Sequence, residues 1–271
     1  MVLKMIQFVR THELAIVIIA LCAALPVSVN AKSNKSLSIY DDTYFMQTYT
    51  SDINQEVYDE AYDNKADKMS KAEIKYQFSL AIPLVQMKYG TLMASYTQLS
   101  LWQLGNTDAS SPFRETNYKP QMFMMHQGKY GIFNNIEYGY RHQSNGKEAL
   151  TSRSWDMGYI AIERVNTKLD FGLQGWYATN LKDNKDIEDF IPPYEVWMKY
   201  HGKAGYFKLK TAYNFSTDKG HVEVGYTYPL SKFAGLYFQV WEGYGESMID
   251  YNHRQTRVGL GLIVESNLNV F

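Results

Sequence analysis

One cysteine among 271 residues, Cys22, has no partner for an intramolecular disulfide, which excludes a disulfide-stapled scaffold. Neither sign of charge dominates. Lys plus Arg number 27 and Asp plus Glu 28, a formal net charge of −1, which argues against a nucleic-acid binder that neutralises phosphates. Proline is scarce at 7 residues, and no Pro/Ser tract or low-complexity linker divides the chain. Long apolar runs are absent apart from one near the N-terminus, and a mean hydropathy of −0.36 excludes a bundle of membrane helices. What the chain does contain is 45% hydrophobic residues, too many for a disordered polymer, with 23 Tyr and 18 Gly. Tyr and Gly in such numbers suit a β-rich domain, either soluble or a membrane barrel with aromatic girdles.

The one apolar run, Leu14 to Val29, follows Lys4 and Arg10 and ends at Val29-Asn30-Ala31, which has small residues where a signal peptidase cuts. At 16 residues it is short for a membrane-spanning helix of about 20. Residues 1–31 therefore read as a secretory signal and residues 32–271 as one mature domain. Leu21 before Cys22 is bulky where lipoprotein processing wants a small residue, so Cys22 is expected to leave with the signal.

Through the rest of the chain apolar residues recur with period 2, which places successive side chains on opposite faces of a strand. Val222, Val224, Tyr226 and Tyr228 alternate with Glu223, Gly225 and Thr227; Val258, Leu260, Leu262 and Val264 alternate with Arg257, Gly259 and Gly261. Strand-like segments near 43–50, 72–84, 88–102, 119–127, 132–144, 152–165, 168–179, 191–202, 204–216, 220–230, 234–244 and 254–264 make an even twelve. Their polar face, rich in Lys, Glu, Arg, Gln and Gly, suits a hydrated barrel interior. A soluble sandwich would alternate in the same way. The signal, the aromatics gathered toward strand ends, and the terminal Phe271 favour an all-β, twelve-stranded antiparallel transmembrane β-barrel.

Within Tyr138-Gly139-Tyr140-Arg141-His142-Gln143-Ser144-Asn145-Gly146, His142 and Ser144 stand two apart and share a strand face. They continue the row Ile136, Tyr138, Tyr140, which is the apolar face and in a membrane barrel looks at lipid. On the next strand Asp156 shares parity with Gly158, Ile160 and Ile162. Polar groups on a lipid-facing wall are costly unless used or satisfied. A hydroxyl, an imidazole and a carboxylate are the nucleophile, base and orienting group of acyl transfer. The bland alternatives are an interfacial His, a chance His-x-Ser pair, and an Asn-Gly hairpin turn at Ser144-Asn145-Gly146.

At these residues the chain resembles the outer-membrane phospholipase A family of Gram-negative bacteria. The likeness covers nearly all of the mature domain. It includes Tyr44 to Asn54, Ser110 to Tyr118, His142 to Gly146, Thr151 to Trp155 and Gly243 to Asn252. The resemblance implies a barrel in the outer membrane with an active site on its outer wall, facing the outer leaflet. It assigns Ser144 as nucleophile, His142 as base and Asp156 as the orienting residue, where asparagine is the family's residue. Aspartate keeps an acceptor there and adds charge. It implies Ca2+ held at Ser110 (from a second subunit), Lys147 and Ser152, with backbone N–H groups of Ser144 and Gly146 for the oxyanion. Lys147 replaces the family's arginine, and Ala149 stands where an acidic residue is expected, which bears on calcium affinity. A homodimer through the lipid-facing wall is implied, with Gln98 buried at the interface and Phe113 and Tyr118 lining the acyl-chain cleft.

The expected function is calcium-dependent hydrolysis of acyl esters of phospholipids and lysophospholipids, activated by dimerisation. Membrane phospholipids and a second copy are the expected partners, with no nucleic acid. The alternative is a passive barrel, a channel or structural protein, which has no use for an outward His142, Ser144 and Asp156.

Overall fold

The computed structural model describes residues 37–55, 57–58, 69–107 and 110–264. The stretch read as a signal, residues 1–31, and Phe271 lie outside them. A two-residue strand, β1 (Ser38–Ile39), precedes twelve long ones: β2 (Thr43–Thr50), β3 (Ala72–Gln86), β4 (Thr91–Trp102), β5 (Phe113–Tyr130), β6 (Phe133–Ser144), β7 (Ser154–Arg164), β8 (Leu169–Thr179), β9 (Tyr194–Gly202), β10 (Gly205–Asn214), β11 (Lys219–Pro229), β12 (Ala234–Gly243) and β13 (Gln255–Val264). Each of the twelve pairs antiparallel with its sequence neighbours, and β13 pairs with β2. The sheet thus closes on itself and leaves no open edge for the hydrocarbon to strand.

All twelve expected strands are present. The largest difference is β5, which begins at Phe113 and not near 119. Leu101 pairs with Glu115 while Trp102 pairs with Phe113, so Arg114 is the extra residue of a bulge. Arg114 and Glu115 consequently both point inward, and the parity break hides the start of the strand from a period-2 reading.

Alternation sorts the faces as expected from the sequence. Leu236, Phe238, Val258, Leu260 and Leu262 are exposed on the outer wall, where lipid would cover them. The inner face departs from a hydrated lumen at one level. There the Arg114 guanidinium pairs with Glu73 (Nε–Oε1 2.6 Å) and Asp250 (Nη1–Oδ2 2.6 Å), and Arg257 pairs with Glu73 (2.9 Å) and Glu246 (2.8 Å). Lys75 adds a second contact to Glu246 at 2.8 Å, and all these side chains are at most 2% exposed. Burial by itself would raise the Glu246 carboxyl, but Arg257 and Lys75 outweigh it and hold the group at about 2. A cavity of about 610 Å³ adjoins the cluster in the lumen, bordered by Lys75 and Glu246 and by Asp41, Lys119, Glu195 and Lys210 among others.

The two barrel ends differ. On one, the connections 87–90, 131–132, 165–168, 203–204 and 230–233 are tight turns. On the other, 51–71, 103–112, 145–153, 180–193 and 244–254 are longer, while 215–218 is short. Outer-membrane barrels carry short turns on the periplasmic side and long loops outside, which orients the chain.

Candidate active site

The inner face of β6 and β7 holds the outer face in place. On β6, Arg141 donates to Gln121 Oε1 at 2.7 Å and lies 4.7 Å from the Tyr159 ring centre, while Gln143 accepts from Trp155 Nε1 at 3.2 Å. On β7, Trp155 and Met157 are buried in an interior cluster with Ala178, Ile187, Met248 and Tyr251. A slip of one residue in either strand would expose these groups to lipid, so the register is strongly specified. His142, Ser144 and Asp156 are thereby left facing outward, at the long-loop end of the wall.

The register sets His142 opposite Asp156 and Ser144 opposite Ser154. His142 Nδ1 lies 2.7 Å from Asp156 Oδ1. An Nδ1–H donated to that carboxylate leaves Nε2 as the free, basic nitrogen. The imidazole is 37% exposed and the carboxylate 17%, so the base is open to a ligand while its orienting partner is half-buried behind it. The Tyr140 hydroxyl, next along the same row, also approaches Asp156. Ser144 shares the face with His142, but no hydrogen bond joins the two among the described residues.

One further row crosses four strands: Gln98 on β4 pairs with Tyr118 on β5, Tyr118 with Ser144 on β6, and Ser144 with Ser154 on β7. The positions assigned to interface, cleft and nucleophile are therefore side by side. Gln98 does not stand alone on the lipid face. It accepts from Tyr96 at 3.1 Å and donates to Ser100 at 3.2 Å, and Ser100 meets Thr116 at 3.1 Å. Among the described residues one of its two amide N–H donors has no acceptor. Phe113 stacks on Trp102 at 5.2 Å and stays about half exposed.

Ser144-Asn145-Gly146 is no tight hairpin turn. It opens the loop 145–153, and Asn145 is buried as its staple. The Asn145 side chain donates to Thr151 O at 2.8 Å and accepts from Arg153 N at 2.9 Å and Lys147 N at 3.3 Å. Gly146 follows with φ +64, and a Cβ there would come within 3.0 Å of the Tyr118 ring. Among the described residues its N–H has no hydrogen-bond acceptor, as an oxyanion donor requires.

The residues assigned to the metal are only partly gathered. Lys147 turns its ammonium inward, donating to Arg114 O at 2.6 Å and lying 3.6 Å from Glu115, and burial pushes it below the ordinary lysine value. Its backbone, and not its charge, is what it can offer a cation. Ser110 lies exposed in the neighbouring loop with φ 61. Ser152 donates to Asp183 Oδ2 at 2.9 Å, and Ser154 to the same oxygen at 3.3 Å. Asp183 had no motif to mark it, because it reaches the site from the separate loop 180–193. No Lys or Arg pairs with it among the described residues. A carboxylate without a cationic partner among the described residues, held between two hydroxyls, is an oxygen donor set that suits a hard divalent cation.

Replacing Asp156 tests the geometry. A hydrogen bond to a charged group contributes roughly 1.5–3 kcal/mol, on the order of 10- to 100-fold in rate. Asp156→Asn keeps the acceptor and is expected to retain kcat at least about tenfold above Asp156→Ala. Equal rates for the two variants, measured on a phospholipid substrate, would show that Asp156 does not orient His142.

Comparison with known proteins agrees with this arrangement. The family model described as phospholipase A1 matches residues 27–264. Phospholipase A1 of Escherichia coli is 42% identical over 233 residues, 83% of this chain and 80% of the relative, and that of Klebsiella pneumoniae is 40% identical over 233 residues, 83% and 81%. Among solved structures, outer membrane phospholipase A from Escherichia coli superposes with a TM-score of 0.81 at 41% identity, covering 86% of this chain and all of that one. A Salmonella typhi outer membrane phospholipase dimer with bound calcium does so with a TM-score of 0.81 at 40% identity, covering 89% and 95%. The fold, the outward site and these likenesses lead to one conclusion: the chain belongs to the phospholipase A1 family, the outer membrane phospholipases A.

Proposed function

We propose that the chain, with residues 1–31 as signal and 32–271 as the barrel, is a calcium-dependent phospholipase of the outer membrane that hydrolyses acyl esters of phospholipids and lysophospholipids. The observation that carries this reading is the His142–Asp156 pair on the lipid-facing wall, with Ser144 beside it. Only a substrate that lies in the membrane reaches that face.

Ser144 Oγ attacks the ester carbonyl carbon, and its proton passes to His142 Nε2. The carboxylate of Asp156 fixes Nδ1 and stabilises the imidazolium that forms. The N–H groups of Ser144 and Gly146 face the developing oxyanion. Collapse of the tetrahedral intermediate returns the proton from His142 to the leaving alcohol and leaves an acyl-serine. Water, deprotonated by His142, then releases the fatty acid and restores Ser144. Calcium would be held by Ser152, Asp183 and the Lys147 backbone, with Ser110 from a second copy, and when bound it supplies positive charge for the oxyanion.

Dimerisation fits the same wall. Phe113 and Tyr118 offer apolar surface beside Ser144 for an acyl chain, and the spare Gln98 donor calls for an acceptor on another copy. A monomer would have half of the cleft and lack the second copy's Ser110.

The refolded barrel in detergent, supplied with a phospholipid, decides between this reading and a passive barrel. With calcium it is expected to release fatty acid. A chelator is expected to lower the rate by about 100-fold or more, since a lost oxyanion contact costs that much, and added calcium to restore it. A calcium-supplied wild type that releases none would be a passive barrel.

A further inference from the structure

The barrel rim opposite the active site carries a charge pattern that catalysis does not use. Each of the five tight turns holds one lysine in the turn or beside it: Lys88 in 87–90, Lys129 before 131–132, Lys168 in 165–168, Lys203 in 203–204 and Lys232 in 230–233. All five are exposed. None forms a salt bridge among the described residues, and none of the five turns contains Asp or Glu. At the other end the connections mix both signs, Asp52, Glu148, Asp183, Glu188, Asp189 and Asp218 with Lys71, Lys182, Lys185 and Arg254.

The lysines stand next to apolar anchors. Lys88 lies 4.9 Å from the centre of the Tyr89 ring and Lys232 lies 4.7 Å from that of Phe233, rings that are 74% and 61% exposed. Tyr130 and Val165 are likewise exposed at this rim. An aromatic or aliphatic group at the edge of a membrane band settles at the level of the headgroups, and a lysine beside it extends its ammonium to the phosphates. One lysine per hairpin, all round the closed sheet, does not form the one-sided patch that a protein partner would cover. It matches a plane that surrounds the barrel.

The geometry points to a basic girdle that binds the headgroups of anionic phospholipids in the periplasmic leaflet. It is a second lipid-contacting surface, distinct from the substrate-facing wall around Ser144. It rests on the membrane placement of the barrel and not on the catalytic assignment, so the two can fail separately.

Spin-labelled ether lipids, which cannot be hydrolysed, test it on the full barrel in bilayers of phosphatidylcholine. The wild type is expected to immobilise labelled phosphatidylglycerol in preference to labelled phosphatidylcholine by a factor of about three to five at low salt. The factor should approach one at 1 M salt, where the Debye length is about 3 Å. Replacing all five lysines by glutamine should remove the preference, and replacing them by arginine should keep it. Each single Lys→Gln variant should lower it in part, which reads the effect if the fivefold variant does not refold. Lys182→Gln with Lys185→Gln, exposed at the opposite end, should leave it unchanged. No preference in the wild type, or one that survives in the glutamine variants, would overturn the assignment.

Discussion

Replacing Ser144 by alanine is expected to abolish ester hydrolysis, lowering kcat by about 10⁴-fold or more, with the barrel still folding. The size follows from the role: where nucleophile and base act as one unit, loss of the nucleophile costs nearly as much as loss of the whole arrangement. Folding should be spared because Ser144 lies on the outer wall and makes no side-chain hydrogen bond to another described residue. The interior contacts that specify the strand belong to its neighbours Gln143 and Asn145. Fatty-acid release from a phospholipid in the presence of calcium measures the effect, and a refolded Ser144→Ala barrel that still turned over at a tenth of the wild-type rate would refute the nucleophile.

The second large effect is on stability. Glu73 is the acceptor for two guanidinium groups, Arg114 and Arg257, and for the Gln103 amide at 2.9 Å, with its side chain fully buried. Glu73→Ala would leave both cations inside the barrel with only Asp250 and Glu246 as anionic partners. Breaking one member of a buried ionic cluster costs about 3–5 kcal/mol, because the partners stay desolvated without compensation. The same loss is expected in the folding free energy from denaturant titration in a lipid-mimetic, provided refolding is reversible. An exposed pair such as Arg254–Glu242, 67% and 38% exposed, should contribute less than about 1 kcal/mol by the same measurement. A Glu73→Ala barrel as stable as a Glu242→Ala barrel would mean that the interior admits water at this level.

The period-2 rows made the barrel legible in the sequence. A strand that faces lipid on one side and polar groups on the other must alternate, and the rows at 222–228 and 258–264 do so without a break. The start of β5 was not legible, because the bulge at Arg114 puts two polar residues in succession on the inner face. Ser144-Asn145-Gly146 leaves a hairpin turn open as an alternative in the sequence, since local composition cannot tell a tight turn from the first residues of a longer loop. Asp183 was hidden for a different reason. It lies 31 residues from Ser152, and nothing between them shows that loops 145–153 and 180–193 meet above the wall.

The filled lumen was also beyond the sequence. Lys75 and Arg257 read as wetted groups on a polar strand face, and only the closed sheet puts both within 3 Å of Glu246.

What the sequence determined by itself is parity. Its alternation decides which side of each strand meets lipid, and so which polar residues, His142, Ser144 and Asp156, stand on the wrong side for a simple wall. What the tertiary structure decided is adjacency. Pairing of β6 with β7 brings His142 onto Asp156, and the row from β4 to β7 sets Gln98, Tyr118, Ser144 and Ser154 side by side. The reason is physical: a side chain's face depends on its own strand, but its neighbours depend on the register between strands, which the packing of Trp155, Met157 and Arg141 inside the barrel sets.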